Sequence, residues 1–143
     1  MIVTNKVFYV DPMSYKNLAL YDYSLLNNIK NVEVEFYGST LYDIKEGQIE
    51  INKIYDYNTR TSFGKIWSYC NSQNKLIKQV RKDKPKIVHF QWFKFTLYDI
   101  FVIKKLKKNG SKVIYTAHNL LPHEGIDRYS GVYYIIYHLV DII

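Results

Sequence analysis

Polar and aromatic side chains follow two short apolar segments of this sequence. Gln91 and Trp92 come directly after the run Lys86–Phe90, and His118 comes directly after the run Ser111–Ala117. A polar group beside an aromatic plane suits a sugar ligand, because hydroxyls need directed hydrogen bonds and the C–H face of a sugar packs on a ring. The alternative interpretation is that Trp92 fills the core beneath its loop.

His118 is a candidate ligand-binding residue because neutral imidazole both donates and accepts hydrogen bonds near neutral pH. His123 and Glu124 follow Pro122, which stiffens the loop, so these two side chains can orient a hydroxyl or act as acid and base groups. The structural alternative is that the three side chains hydrogen-bond nearby backbone groups and hold the loop in shape.

The sequence lacks the patterns that several other kinds of chemistry require. The spacing of His118, His123 and Glu124 matches neither His-Glu-x-x-His nor a paired Cys/His pattern, so no metal is expected. Cys70 falls on the apolar stripe of a predicted helix, where a free cysteine usually belongs to the core. The sequence has no GxGxxG, GxxxxGK[ST] or GxSxG motif, which argues against Rossmann dehydrogenases, P-loop NTPases and α/β-hydrolases.

The densest group of positive charges is Lys104, Lys105, Lys107 and Lys108. These lysines lie at the end of a predicted helix, where they meet the negative end of the helix dipole, so a solvated face is the simplest interpretation. Contact with an anionic membrane surface is the functional alternative. No nucleic-acid partner is expected, because the aromatic residues follow strands and helix stripes instead of forming a platform beside these charges.

The first half of the chain predicts two strands with a helix between them. Lys6–Val10 and Val32–Phe36 have strand-like apolar patterns, and Tyr15–Ile29 carries apolar residues at helical spacing with Ser14 as its cap. The segment Leu41–Asn58 is the least regular and is predicted to form an irregular hairpin or loop.

The second half predicts two more strands among three helices. The strands are Lys86–Phe90 and Ser111–Ala117, and the helices are Gly64–Lys82, Leu97–Lys108 and Arg128–Val140. The apolar stripe of the first of these helices is taken to include Ile66, Trp67 and Cys70. Asp141–Ile143 resembles the start of a further strand.

This alternation predicts an α/β fold, a Rossmann-like three-layer sandwich with a mainly parallel sheet, because right-handed crossovers place helices on both faces. Ligands bind at the carboxyl ends of such strands, so the loops after Val10, Phe90 and Ala117 are expected to share one rim. With 143 residues the chain is long enough for one domain with its own core.

Charge and composition say more about the expected cellular location of the protein than about its function. The net charge of +7 permits attraction to nucleic acid, anionic lipid or a phosphate-bearing substrate and selects none of them. A single cysteine and the absence of a signal-peptide pattern favour the cytoplasm. No run approaches the roughly 20 apolar residues of a membrane span, so any membrane association is expected to be peripheral, at the inner face of the plasma membrane.

Two segments carry a family resemblance, Lys86–Trp92 (KIVHFQW) and Lys112–Glu124 (KVIYTAHNLLPHE). Together they resemble the N-terminal domain of the retaining GT-B glycosyltransferases, which include bacterial enzymes of lipopolysaccharide, capsule and exopolysaccharide synthesis. That family ends one strand with a His-x-Gln-Trp-like sequence and the next with Thr-x-His-Asp/Asn, often followed by Pro-His-Glu.

The resemblance implies that this domain binds the acceptor, while a second Rossmann-like domain binds the nucleotide-sugar donor. It implies transfer of a hexosyl group to a surface-glycan or lipid-linked acceptor, with retention of configuration and without a metal cofactor. His118 would act at the catalytic cleft, and the acceptor side would be lined by Gln91, Trp92, Asn119, His123 and Glu124.

Two departures from the family pattern limit what this chain is expected to do. The loop Asp11–Ser14 lacks the glycine pair that many members use near the donor phosphates, which puts donor contact from this loop in doubt. Residues 1–143 are also expected to be an incomplete N-terminal domain without the C-terminal nucleotide-sugar domain. The chain alone is therefore not expected to transfer sugar.

Two other classes of function stay open. One is a non-catalytic α/β module that binds a glycan or an anionic surface, and the other is a nucleic-acid-binding protein drawn by the positive charge. A second α/β domain with a Glu-rich nucleotide-sugar motif, encoded next to this one, would distinguish the enzyme from both.

Overall fold

Strands and helices alternate along the chain. The computed structural model describes residues 5–45, 49, 51–118 and 126–143, and of residues 126–130 only the backbone. The strands are β1 (Lys6–Asp11), β2 (Glu33–Ser39), β3 (Ile51–Tyr55), β4 (Ile87–Phe90) and β5 (Lys112–Tyr115). The helices are α1 (Asn17–Asn28), α2 (Ser62–Asp83), α3 (Thr96–Lys108) and α4 (Ile126–Leu139), with a short 3-10 helix at Tyr57–Thr59.

The described strands form one parallel sheet in the order β3-β2-β1-β4-β5. The chain therefore runs outward from β1 through β2 and β3, crosses back to β4 on the other side of β1, and continues to β5. Ile142 adds a single parallel bridge to Ile114 beside β5, where a further strand was predicted to start. The predicted α/β fold, a Rossmann-like three-layer sandwich, is confirmed.

Alternation along the strands gives the two faces of the sheet different contents. In β1, Phe8 and Val10 are buried in a large apolar core that includes residues of α2, α3 and α4. Tyr9 points to the opposite face and packs with Ala19 and Leu26 of α1 in a smaller cluster. The helices thus form one layer on each side of the sheet, with α1 on the side that also holds polar groups.

The prediction of an irregular hairpin or loop over Leu41–Asn58 is wrong for residues 51–55. The segment instead contains β3, which runs parallel to β2 with Phe36 opposite Ile51. A parallel neighbour cannot be reached by a tight turn, so the chain needs a longer connection between the two strands. The apolar periodicity did not reveal β3, because its few apolar residues are spread among polar ones.

Ser14 joins the loop after β1 to the end of β2. It is fully buried, and its Oγ accepts the backbone N–H of Ser39 at 2.9 Å. The prediction that Ser14 caps α1 is wrong, because the helix begins only at Asn17 and has no side-chain cap. Gly38 leaves room for this contact, since a Cβ there would overlap Ser14 Oγ and lie 2.8 Å from Ile51 Cδ1.

Gly38→Ala is expected to lower the free energy of unfolding by about 2 kcal/mol, because the new methyl group overlaps Ser14 Oγ, which is buried and held in place by its hydrogen bond to Ser39. Urea denaturation measures this change. Gly131→Ala is the matched control, since a Cβ at that position of α4 meets no atom within 4 Å and alanine favours a helix. Equal stabilities of the two variants would contradict the tight packing at Gly38.

The outer side of α2 exposes residues that the sequence pattern assigned to the core. Tyr69, Leu76 and Val80 are fully buried, whereas Ile66 is 49% exposed and Trp67 is 78% exposed. Trp67 is two positions from Tyr69, which places it roughly 200° away around the helix. Its assignment to the core is therefore wrong. Within the described part of the chain, no helix is both long enough and apolar enough to cross a bilayer.

Candidate functional site

The strand order places a topological switch point between β1 and β4, the position where doubly wound sheets open toward ligands. The carboxyl ends of β1, β4 and β5 are adjacent, as the sequence predicted. Backbone hydrogen bonds hold them together, from Gln91 N–H to the Val10 carbonyl at 2.9 Å and from Thr116 N–H to the Phe90 carbonyl at 2.9 Å. Side chains that leave these ends on the α1 side therefore meet.

A chain of polar side chains connects β4 to the loop after β5. His118 Nε2 lies 2.9 Å from Gln91 Oε1, and Gln91 Nε2 donates to Thr116 Oγ1 at 3.2 Å. Thr116 Oγ1 in turn lies 2.8 Å from His89 Nε2. Gln91 is buried, with 1% of its surface exposed, whereas His118 is exposed at the rim. The buried amide of Gln91 therefore fixes the orientation of the exposed His118 ring.

The network also defines the tautomers of the two histidines. Because Gln91 Oε1 only accepts, His118 must donate from Nε2, which leaves the lone pair on Nδ1. Burial, with a further contribution from His118, lowers the pKa of His89 to about 4, so His89 is neutral and its Nε2 accepts the Thr116 hydroxyl proton. Burial also lowers the pKa of His118, which favours the neutral imidazole.

Aromatic rings hold His118 from two sides. Trp92 stacks on the imidazole with ring centroids 4.7 Å apart and planes 12° apart, and Tyr21 of α1 meets it edge-on at 5.8 Å. One face of the Trp92 ring is therefore occupied by His118. Tyr21 is 44% exposed, so it is the aromatic surface beside His118 that a ligand can reach.

A buried carboxyl pair lies on the same side of the sheet, at the end of β1. Asp11 and Asp22 are 1% and 0% exposed. Asp11 Oδ1 accepts the backbone N–H of Met13 at 2.6 Å, and Asp22 Oδ1 accepts the Tyr9 hydroxyl at 2.6 Å. Among the described residues Asp22 Oδ2 meets no donor. Burial and the charge of Asp11 raise the pKa of Asp22 to about 9, so Asp22 is protonated near neutral pH.

Burial and mutual repulsion explain the titration of this pair. Burial is the largest cause that raises the pKa of Asp22, followed by the charge of Asp11. Burial also raises the pKa of Asp11, while the Met13 N–H and the Asp22 proton oppose the rise. Tyr9 links the pair to the histidines, because its ring meets that of His89 at 5.5 Å. The α1 side thus carries a continuous polar layer from Asp22 to His118.

The structure brings three of the predicted site residues together, namely Gln91, Trp92 and His118. Gln91 and Trp92 contact the His118 ring and orient it, in addition to any contact with a ligand. Asn119, His123 and Glu124 lie outside the described residues. Trp92 is partly buried and stacks on the exposed His118 ring, so it is not wholly enclosed in the core.

Sequence reasoning missed four residues of the polar layer, and a signal existed for each. His89 alternates with Val88 and Phe90 in β4, so it shares a face with Gln91, and Thr116 shares a face with His118 by the same rule. Asp22 lies four residues after Leu18 and four before Leu26, a core position of α1, and Asp11 ends β1 at the switch point.

The four lysines near the end of α3 differ in their contacts. Lys107 Nζ donates to the Leu139 carbonyl at 2.7 Å and pairs with Asp141 at 3.0 Å, so it holds α4. Lys105 Nζ lies 5.3 Å from the centroid of the Phe101 ring, and Lys104 and Lys108 are exposed. Lys107 is therefore the least suited of the four to contact a membrane.

Cys70 and the side-chain types that bind metals were both considered from the sequence. Cys70 is half-buried on α2, and burial raises the pKa of its thiol, which keeps it protonated near neutral pH. In the ranges that the structure covers, no three His, Cys, Asp or Glu side chains are grouped to hold a metal ion.

No family model matches this chain, and comparison with curated proteins and with solved structures gave no match.

Proposed function

We propose that this chain forms the acceptor-binding half of a glycosyltransferase, which moves a hexosyl group from a nucleotide sugar to a surface-glycan or lipid-linked acceptor. The observation that carries the proposal is the exposed His118 ring at the switch point, fixed between Gln91 Oε1 and the Trp92 plane. An imidazole held in one tautomer offers a directed acceptor, which is what recognition of a sugar hydroxyl requires.

The chemistry assigned to these residues is positioning. His118 Nδ1 accepts a hydroxyl proton from the sugar, and the exposed ring of Tyr21 packs against the C–H face beside it. Gln91 and Trp92 act through His118, since each contacts its ring. Under this proposal the nucleotide-sugar donor binds in a second domain.

A single-tryptophan variant tests the sugar site. The chain has two tryptophans, so Trp67→Phe leaves Trp92, in contact with His118, as the sole tryptophan reporter. Its emission is titrated with methyl glycosides of glucose, galactose and mannose. At least one of them is expected to change the emission, and His118→Ala is expected to weaken that binding about tenfold, the value of one good hydrogen bond.

His138→Ala is the matched control for His118→Ala. His138 is also exposed, but it lies on α4, where its Nδ1 is 2.8 Å from the Tyr134 carbonyl. This variant is expected to bind the glycosides like the parent. Equal weakening by both substitutions, or no emission change with any glycoside, would contradict the assignment of His118 to a sugar site.

A further inference from the structure

The outer surface of α2 and α3 exposes large apolar side chains at one end. Phe63 is 93% exposed, Trp67 78%, Leu97 75% and Phe101 44%. The exposed lysines on the same sides of these two helices are Lys78 and Lys104. These six residues are called the α2–α3 face below. Isolated apolar residues are common on protein surfaces, but a group of large aromatic ones marks an interaction site.

The two helices lie side by side, so their exposed residues form one surface. The Tyr98 hydroxyl of α3 donates to Asn74 Oδ1 of α2 at 2.9 Å. Lys94, just before α3, is close enough to Lys65 of α2 for that charge to contribute to lowering its pKa, after the larger effect of burial. Tyr98 also packs against Phe101, with ring centroids 5.6 Å apart.

The charge of the chain is concentrated in the same segment. Residues 62–108 contain twelve of the 20 lysines and arginines but only two of the 13 acidic residues, Asp83 and Asp99. Twelve minus two gives +10, so the rest of the chain carries −3. Asp83 lies 3.6 Å from Lys6, and Asp99 is fully buried. Neither acid therefore offsets the exposed lysines of the α2–α3 face.

We propose that the α2–α3 face docks on an anionic phospholipid bilayer, with Phe63 and Trp67 inserted among the lipids and the lysines on the headgroups. Aromatic rings favour the membrane interface, and near-surface lysines are attracted by anionic lipid. A second copy of this chain is a poor occupant, because two faces of the same strong charge repel each other. This proposal does not depend on the proposed transfer of sugar.

Docking in this way orients the domain. Helices α2 and α3 each follow a strand, so Phe63 and Leu97 in their first turns lie toward the carboxyl edge of the sheet. His118 lies at the same edge. Docking at these first turns therefore brings the carboxyl edge of the sheet near the bilayer, while α1 lies on the side of the sheet away from it.

Co-sedimentation of the wild-type chain with vesicles tests the docking directly. Vesicles of equal parts phosphatidylcholine and phosphatidylglycerol are expected to bind the chain, and vesicles of phosphatidylcholine alone are not. In Trp92→Phe, Trp67 is the sole tryptophan, and its emission is expected to shift to shorter wavelength on the anionic vesicles. Neutral vesicles are expected to leave it unchanged.

Paired substitutions separate the apolar and the electrostatic contributions. Lys78→Gln with Lys104→Gln is expected to weaken binding about 25-fold, or about fivefold for each lysine. Phe63→Ser is expected to weaken it about tenfold. The matched controls lie on the other side of the sheet, Lys16→Gln with Lys30→Gln and Leu20→Ser, and are expected to bind like wild type.

Three results would overturn the proposal. They are no sedimentation of the wild-type chain with anionic vesicles, binding without a shift of the Trp67 emission, and equal effects of the α2–α3 and control substitutions. Tighter binding to a single-stranded oligonucleotide than to the vesicles would also reject it in favour of nucleic acid. Glycoside binding through His118 is measured without vesicles, so a failure here leaves that test unaffected.

Discussion

Asp22→Asn is expected to remove most of the loss of stability that the wild-type protein shows as pH rises from about 7 to 9. Burial, followed by the charge of Asp11, raises the folded pKa of Asp22 to about 9, well above the ordinary carboxyl value. A raised carboxyl pKa contributes its full stability below about pH 4, and that stability is lost as pH rises through the folded value. Where the folded state holds one proton more than the unfolded state, the free energy of unfolding falls by about 1.4 kcal/mol per pH unit.

Asparagine suits this position because it imitates a protonated aspartate. Its Oδ1 can accept the Tyr9 hydroxyl as Asp22 Oδ1 does, and its Nδ2 can donate to Asp11. The variant keeps the hydrogen bond to Tyr9 but has no proton to lose. Its stability relative to wild type is therefore expected to increase by roughly 2 kcal/mol between pH 7 and pH 9.

Urea denaturation at several pH values between about 7 and 9 measures this difference. The other buried carboxyl with a raised pKa is Asp99, at about 7, and it contributes mainly below this window. Asp43→Asn is the control, because Asp43 is exposed and its charge is solvated. If Asp22→Asn and wild type lose stability in parallel above pH 7, Asp22 does not retain a proton in the folded state.

Asp99→Ala is expected to destabilise the protein by about 3–5 kcal/mol, because it leaves several buried donors without an acceptor. Asp99 Oδ2 accepts the backbone N–H groups of Lys94 and Phe95 at 3.1 and 3.0 Å. Oδ1 accepts the Tyr69 hydroxyl at 2.8 Å and Gln73 Nε2 at 3.1 Å. The carboxylate thus holds the first turn of α3 against α2.

Two further variants identify the cause of the Asp99→Ala effect. Asp99→Asn keeps an acceptor for Tyr69 but turns an NH₂ group toward the two backbone N–H donors, so an intermediate loss is expected. Tyr98→Phe removes an exposed hydrogen bond to Asn74 and is expected to change stability by less than about 0.5 kcal/mol. A loss below about 1 kcal/mol for Asp99→Ala would mean that water replaces the carboxylate.

The fold was predictable because its strands are short buried runs and its helices are amphipathic. Two strands could be predicted without tertiary information, at Lys6–Val10 and Lys86–Phe90. Continuous apolar segments between turn signals indicate buried parallel strands. β3 was not predictable in this way, because its pairing with β2 supplies what its own polar-rich sequence lacks. Trp67 was misplaced because apolar character alone does not say which side of a helix faces the core.

The position of the candidate site could be predicted from the sequence. Its network of side-chain contacts could be predicted only in part. His118, Gln91 and Trp92 follow directly from the rule that ligands meet the carboxyl ends of parallel strands. The partners of Asp22 were not predictable, since Tyr9 and Asp11 reach it across separate elements. Only the strand order, with β1 beside β4, brings the His89 ring next to Tyr9.

The unequal apolar clusters on the two sides of the sheet imply unequal local stability. α1 rests on the smaller cluster with Tyr9, Ala19 and Leu26, while α2 and α3 share the larger one. Segments with less buried apolar surface open more often without global unfolding, so amides of α1 should exchange with solvent faster than those of α2. The layer beside His118 can therefore rearrange around a ligand while the opposite layer stays fixed.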